Sequence, residues 1–380
     1  MDFSWSETQR RLFDDLEAYI RAEVRTDVVA ADREGRFDRA GWEAFGRFGL
    51  TGLPIPRSYG GRGCDALTTV GALERLGYVC ADHGLMFTLH AHLWTVVIPL
   101  LAIGTEAQKG KYLPLLASGQ WVGGNAMTEP GAGSDAFSLE TTAHREGDSY
   151  ILNGHKSFVS NAPIADLLTV YATVDRAQGP AGITVFLVET TRPGITIRPI
   201  EKMGLRTSPS GEVVFTDCRV PVFNRLGEEG AGGFVFMRSM TWERGCILAT
   251  AVGAMRRMLE QCVRFARTRR QYGQAIGKYQ QVAMRLVGMK ERLEASRLLL
   301  YFIAWLLTEK RPAYMEAALT KRFISEAWVQ TCEDAIQIHG SLGYRVESGI
   351  ERELRDALGS RLYSGTNEIQ ANLVASLLGL

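Results

Sequence analysis

No two of the six cysteines are close enough in sequence to suggest a staple or a metal knuckle. Cys64, Cys80, Cys218, Cys246, Cys262 and Cys332 are scattered, with no C-x-x-C pair, so neither a zinc site nor a disulfide framework is indicated. That usage suits a reducing compartment. An excess of one charge is also missing: 43 Lys and Arg meet 42 Asp and Glu, a formal net charge of +1. Binding to nucleic acid or an anionic membrane needs clustered cations, and the densest basic run is the short Arg267-Thr268-Arg269-Arg270. No uninterrupted apolar run reaches the roughly 20 residues that span a bilayer. The opening Met-Asp-Phe-Ser-Trp-Ser-Glu has no basic stretch leading into an apolar one. The expectation is a cytoplasmic protein with no nucleic-acid or membrane partner. The 40 glycines include no G-x-G-x-x-G between a strand and a helix, so a Rossmann unit is excluded. The cluster from Gly227 to Gly233 carries Glu228 and Glu229, which repel phosphate, and it reads as a linker.

What is present divides into three grains. The 380 residues exceed the roughly 250–300 that one core supports, so more than one domain is expected. Residues 1–120 read as helices, with Leu12, Leu16, Tyr19, Ile20 and Val24 on one stripe. Residues 121–234 hold short β-rich runs at 150–152, 167–171, 183–188 and 213–215, separated by turn pairs such as Asn153-Gly154 and Pro193-Gly194. No long helices alternate with these runs, so an antiparallel sandwich or barrel fits better than a doubly wound sheet. Residues 235–380 are helical. One stripe passes through Met237, Met240, Ile247, Ala251 and Met255, another through Val282, Leu286, Met289 and Leu293, as in a helical bundle. The expected class is α+β multidomain.

At the start of the β segment stands Thr128-Glu129-Pro130-Gly131-Ala132-Gly133-Ser134-Asp135. Its Pro and small residues force a tight turn whose outward amides, with the Ser hydroxyl, suit an anionic diphosphate; a plain surface turn is the rival reading. This segment closely resembles the signature of the acyl-CoA dehydrogenase family. Further segments match in the family's order. They are Asn153-Gly154-His155-Lys156 leading to Ser160-Asn161, and Lys202-Met203-Gly204-Leu205-Arg206 leading to Phe215 and Arg219-Val220-Pro221. Next come Ala266 to Gly273, Gln337-Ile338-His339-Gly340 and Gly365-Thr366-Asn367-Glu368-Ile369-Gln370. The resemblance covers essentially the whole chain. It implies an N-terminal helical domain, a middle antiparallel β domain and a C-terminal four-helix bundle. It also implies bound FAD and a homotetramer built as a pair of dimers.

The resemblance assigns FAD positions. Met127 and Thr128 correspond to backbone and hydroxyl contacts with the flavin ring, and Ser134 to the diphosphate. The family's flavin-side Trp is here Phe158, which keeps an apolar ring but loses an N–H donor, and the hydroxyl near N5 is that of Ser160. Arg269 corresponds to the Arg that reaches the FAD diphosphate of a neighbouring subunit, with Gln271, Tyr272 and Gln280 following it. A guanidinium suits phosphate because it can give two parallel bonds. Arg267 and Arg270 have no such match and are read as solvated. Gln337, Gly340, Thr366 and Glu368 match positions around the AMP half and the isoalloxazine edge. No metal is implied.

The family's usual catalytic Glu stands just before the G-T of its last motif, where this chain has Ser364. A few branches carry a small residue there and move the base to the first long helix of the bundle. Trp242-Glu243-Arg244 stands at that position, so the resemblance implies Glu243 as the base that removes the proton α to a thioester. On a helix Glu243 shares a face with Met240, Ile247 and Thr250, and burial there raises its pKa. The alternative is a surface Glu paired with Arg244 or Arg238. The Ser364 backbone N–H is expected to hold the thioester oxygen as an oxyanion hole does, a contribution that alanine would keep. Phrases such as 154–158, 161–166, 225–230 and 239–244 look more like the branch that oxidises aminoacyl groups, notably prolyl, on carrier proteins in secondary metabolism. An acyl-CoA dehydrogenase of catabolism is the second reading. A same-fold flavin oxidase or monooxygenase and a silent FAD-binding subunit are disfavoured because Glu243 and the FAD set are retained. The electron acceptor, a flavoprotein or oxygen, is left open.

Overall fold

The computed structural model describes residues 4–380, and its first helix begins where the sequence supplies a capping box. The Ser6 hydroxyl accepts from the Gln9 amide at 3.2 Å and the Gln9 side chain accepts from the Ser6 amide at 3.0 Å. This helix, α1 (Glu7–Glu23), buries Phe13, Leu16 and Ile20. It is followed by α2 (Val28–Glu34), α3 (Arg39–Phe48), α4 (Ala66–Val79), α5 (His83–His92), α6 (Ile98–Ile103) and α7 (Glu106–Ala117). A π-helical turn, Leu93–Val97, fuses α5 and α6 into one rod, His83–Ile103. By length and composition this rod could cross a membrane, which the sequence reading did not expect because His90 and His92 interrupt its apolar text. Its most apolar window is 78% buried inside the protein, as a core helix is.

The middle of the chain forms one sheet with strand order β6-β7-β3-β2-β4-β5-β8 and β1 also on β4. The strands are β1 (Gly123–Ala126), β2 (Thr142–Glu146), β3 (Ser149–Ser160), β4 (Leu167–Thr173), β5 (Ile183–Glu189), β6 (Ile195–Pro199), β7 (Ser210–Pro221) and β8 (Arg225–Leu226). Most neighbours are antiparallel, as expected, but β1 and β2 meet β4 in parallel. Every residue of β4 is buried, which fits a strand with both faces covered. Leu167 and Tyr171 of β4 pack with Val96 and Leu100 of the rod. Leu168, Val170 and Ala172 face the other way, into the sheet's own core with Phe186 and Val213.

The remainder is helical: α8 (Gly232–Cys246), α9 (Ala249–Thr268), α10 (Gln280–Thr308), α11 (Tyr314–His339), α12 (Ile350–Gly359) and α13 (Asn367–Leu377). A small hairpin, β9 (Arg270–Gln271) with β10 (Gln274–Ala275), joins α9 to α10. The stripe expected to run unbroken from Met237 to Met255 is interrupted, because Ile247 and Leu248 form a turn between α8 and α9. No proline marks the break, and buried residues lie on both sides of it, so the apolar period reads straight through. The two helical ends of the chain share one core, in which Phe13, Trp42 and Leu76 join Met255, Leu293 and Ile324. At the α4–α9 crossing the backbones nearly touch. A Cβ on Gly77 would lie 1.9 Å from the Thr250 carbonyl, and one on Gly253 would lie 1.9 Å from that of Glu74.

Candidate active site

Glu243 occupies the last turn of α8 and is buried. Its Oε1 accepts a 2.6 Å hydrogen bond from the Ser364 hydroxyl, while its Oε2 is buried with no hydrogen-bond partner among the described residues. Burial pushes this carboxyl above its ordinary range, against the Ser364 hydrogen bond and the nearby charges of Arg244 and Lys321. The negative end of the helix dipole acts in the same direction as burial. Arg244 forms no ion pair with Glu243 among the described residues; its Nε donates to the Ser364 carbonyl at 3.2 Å. Arg238 is exposed, so the surface ion-pair alternative does not hold. Of the residues expected on the Glu243 face, Met240 and Ile247 are buried. Thr250 lies beyond the break and bonds the His90 ring at 2.9 Å.

The loop that brings Ser364 to Glu243 is held from several sides. Ser364 has φ 60° and Gly365 φ 86°, the left-handed region that side chains avoid. Gln370 spans this turn, its amide donating to the carbonyls of Ser364 (3.1 Å) and Gly365 (2.9 Å). One residue past Thr366, the Asn367 side chain accepts from Lys321 Nζ (2.9 Å) and the Ser325 hydroxyl (3.0 Å) and donates to Glu326 (2.6 Å). Lys321 is fully buried, and burial with the Arg244 charge lowers its ammonium pKa to about 7. The Ser364 amide makes no hydrogen bond among the described residues. The sequence reading gave Ser364 a backbone role alone. The structure adds a side-chain contact, since its hydroxyl is the hydrogen-bond partner of Glu243.

In front of α8 stand the aromatic rings of the rod and the sheet. Trp94, in the π-helical turn, stacks on Trp242 at 6.2 Å. The Trp94 carbonyl, released from regular helix pairing, accepts from the Ser239 hydroxyl at 3.0 Å; π-turns of this kind are frequent at functional sites. Tyr171 of β4 meets Phe236 of α8 edge-on at 5.9 Å.

The residues matched to FAD fall in two places. Met127 and Thr128 follow β1, and the turn after them is anchored from behind. The Glu129 carboxylate accepts from Lys156 Nζ (2.7 Å) and the Thr141 amide (2.9 Å), and Lys156 also donates to the Met127 carbonyl (3.0 Å). Both members of this ion pair are buried, a feature the sequence reading missed because nothing in the motif marks its Glu as structural. The amides of Gly131, Gly133 and Ser134 make no hydrogen bond among the described residues. A Cβ on either glycine would meet nothing. The glycines are therefore not required by packing, and free amides on an open turn fit a diphosphate. The Thr128 carbonyl accepts from the Ser157 amide at 2.9 Å, tying the turn to a register shift in β3. There Phe158 has φ 51° and is 67% exposed, a strained aromatic offering its face to a flat apolar ring. Ser160 follows at the end of β3. These residues fit the flavin and diphosphate of FAD.

The second group stands at one end of the bundle. Arg269 caps α9, and its guanidinium makes no ion pair or hydrogen bond among the described residues. Gln271 and Tyr272 lie in the hairpin, Tyr272 being 96% exposed, and Gln280 opens α10. Phe265 stacks on His339 at 4.3 Å, so the ends of α9 and α11 meet and exposed Gln337 and Gly340 share this end. No hydrogen bond joins this group to the sheet residues among the described residues. Arg267 and Arg270 are exposed, as expected. Thr366 caps α13 through the Ile369 amide at 3.3 Å. Glu368 is exposed in the first turn of α13, and its own backbone amide and Thr366 hold its carboxyl below the ordinary range.

Comparison with known proteins agrees along the whole chain. It matches the acyl-CoA dehydrogenase N-terminal domain over residues 6–120, the middle domain over 124–218 and the C-terminal domain over 230–379. It is 43% identical to an L-prolyl-[peptidyl-carrier protein] dehydrogenase of Pseudomonas fluorescens, over 100% of both chains. Among solved structures it resembles the prolyl acyl carrier protein oxidase AnaB, with 49% identity and a TM-score of 0.98 over 99% of this chain and 100% of that one. It also resembles PigA with FAD and proline, with 38% identity and a TM-score of 0.97 over 100% of both.

Proposed function

Because the chain belongs to the acyl-CoA dehydrogenase family and is an FAD-dependent oxidoreductase of acyl thioesters, we propose that it desaturates the α–β bond of an aminoacyl group carried as a thioester on a carrier protein, with prolyl the first candidate. The observation that carries the reaction class is the state of Glu243. It is a buried carboxyl with one oxygen engaged by Ser364 and the other without a partner among the described residues. The engaged oxygen fixes the carboxylate plane, and the free one is placed to take the α-proton. Raising its pKa narrows the gap to the weakly acidic C–H, which favours proton transfer. The Ser364 amide, without a hydrogen bond among the described residues, is assigned to the thioester oxygen, where it stabilises the charge that develops as the proton leaves. FAD, when bound, supplies the acceptor for the β hydrogen as hydride. Met127, Thr128, Ser134, Phe158 and Ser160 are assigned to hold it, with Thr366 and Glu368 at its edge.

Support for the carrier-bound substrate is the full-length identity to the prolyl-carrier enzymes. Arg269, Gln271, Tyr272, Gln280, Gln337 and Gly340 are assigned to the FAD of a second copy, because no hydrogen bond joins their exposed cluster to the sheet residues among the described residues. Exposed Leu298, Phe302 and Trp305 on α10, with Leu319 and Phe323 on α11, offer an apolar face for that copy, in keeping with a cytoplasmic homotetramer. The test is anaerobic flavin reduction by one acyl group presented two ways. The prolyl carrier-protein thioester is expected to react much faster than prolyl-CoA. Equal or better rates with CoA would move the assignment to a catabolic acyl-CoA dehydrogenase.

A further inference from the structure

A second polar group in the same region makes no hydrogen bond among the described residues. Tyr171 is 1% exposed and lies on a strand buried on both faces, yet its hydroxyl makes no hydrogen bond among the described residues; the ring of Phe236 meets its own ring edge-on. Its position is fixed by register. β1 and β4 run in parallel with Ala126 opposite Val170, so the next residues, Met127 and Tyr171, leave the ladder side by side. Both belong to one apolar cluster with Val235 of α8. Tyr171 thus lies between the Met127–Thr128 turn and the helix that carries Glu243. A phenol hydroxyl that a bound ligand covers without pairing is destabilising by about 1–3 kcal/mol, so a polar group of the ligand is the natural partner. Burial, reinforced by the Glu243 charge, pushes the phenol up from its ordinary range and keeps it a donor.

We propose that the Tyr171 hydroxyl donates a hydrogen bond to the amine nitrogen on the α carbon of an aminoacyl thioester, and so distinguishes aminoacyl from plain acyl substrates. This rests on the carrier-bound aminoacyl reading above. The chemistry gives the contact a second purpose. An α-ammonium group would surrender its N–H proton to Glu243 before the far less acidic C–H could react. The nitrogen must therefore be bound as the neutral amine, and a donor on its lone pair favours that form. No covalent step is involved. Tyr171 would touch the substrate but take no proton.

The experiment compares wild type and Tyr171→Phe on two carrier-protein thioesters of the same shape, prolyl and cyclopentanecarbonyl, by stopped-flow flavin reduction without oxygen. The carbocycle lacks only the nitrogen. Tyr171→Phe is expected to slow the prolyl thioester about 10- to 100-fold, the range of a lost hydrogen bond to a buried polar group. It should leave the carbocycle within about threefold of wild type, well under that range. Because the variant keeps the ring, the carbocycle also reports whether the site is intact. Equal losses on both thioesters would make Tyr171 structural, and no loss on either would remove it from the site; each overturns the assignment while the aminoacyl reading stands. A wild-type enzyme that prefers the carbocycle or a CoA thioester overturns that reading, and the Tyr171 assignment with it.

Discussion

Ser364 Oγ lies 2.6 Å from Glu243 Oε1, across 121 residues of sequence, and Gln370, Arg244 and Asn367 fix the loop that delivers it. The serine at the position before Gly365-Thr366 therefore does more than vacate space for a base supplied from elsewhere. It orients that base and, by donating to its charged form, opposes the rise in pKa that burial causes.

Replacing Glu243 by Gln keeps the shape and removes the basicity. Glu243→Gln is expected to retain FAD and fold while anaerobic flavin reduction falls about 10²–10⁴-fold, equivalent to roughly 3–5 kcal/mol of barrier. A rate within about threefold of wild type, far below the general-base range, would exclude Glu243 as the base.

Ser364→Ala removes the hydroxyl and keeps the amide. Hydrogen bonds to charged groups are worth about 1.5–3 kcal/mol, and 1.36 kcal/mol is one pKa unit. The Glu243 pKa, already raised, is expected to rise by about one further unit. Since the ionised carboxylate is the active form, the rising limb of flavin reduction against pH moves to higher pH by that amount. An unmoved limb would mean that the hydroxyl does not act on the base.

The same carboxyl links stability to pH. Its folded pKa lies above the unfolded value near 4.5, so folding favours the protonated form. The contribution to stability is fully present below the unfolded value and is lost as pH rises through the folded one. Glu243→Gln removes that loss. Its Tm relative to wild type should be higher at pH 8 than at pH 4, and a difference independent of pH would show that Glu243 is ionised normally.

The buried Lys156–Glu129 pair anchors the turn assigned to FAD. Lys156→Met leaves Glu129 without its cation, a change typically destabilising by about 3–5 kcal/mol. Urea unfolding should show the loss, and Lys156→Met with Glu129→Gln should recover part of it. A single variant as stable as wild type would place the support of this turn elsewhere.

Arg269→Ala is expected to weaken FAD retention and the oligomer together. Gel filtration with flavin absorbance reads both at once. An intact oligomer holding one FAD per chain would separate Arg269 from the cofactor.

Much of this was legible in the sequence because motifs and local periods carry it. The stripe through Leu16 and Ile20, the strands at 167–171 and 183–188, and the exchange of Glu243 for a small residue at 364 all depend on near neighbours or on a motif. The break at Ile247–Leu248 was not legible, because apolar residues continue through it. The Ser364 hydroxyl, the Lys321–Asn367 contact and the Glu129–Lys156 pair were not legible either, since each joins residues far apart in sequence whose types serve equally well on a surface. Tyr171 reads in sequence as one more strand aromatic. Only the parallel pairing of β1 with β4, in a segment expected to be antiparallel, sets it beside Met127.

The α4–α9 crossing bears on how the chain is made. Arg257 of α9 donates to the Gly77 carbonyl 180 residues earlier, and the paired glycines leave no slack for a substitute surface. At roughly 5–20 residues per second, the N-terminal helices emerge from a ribosome roughly 10–40 s before the helix that covers them. During that interval Leu76 and its neighbours are exposed to solvent. The N-terminal third is therefore expected to depend on chaperones as a nascent chain and to aggregate when expressed alone, however well the complete polypeptide folds.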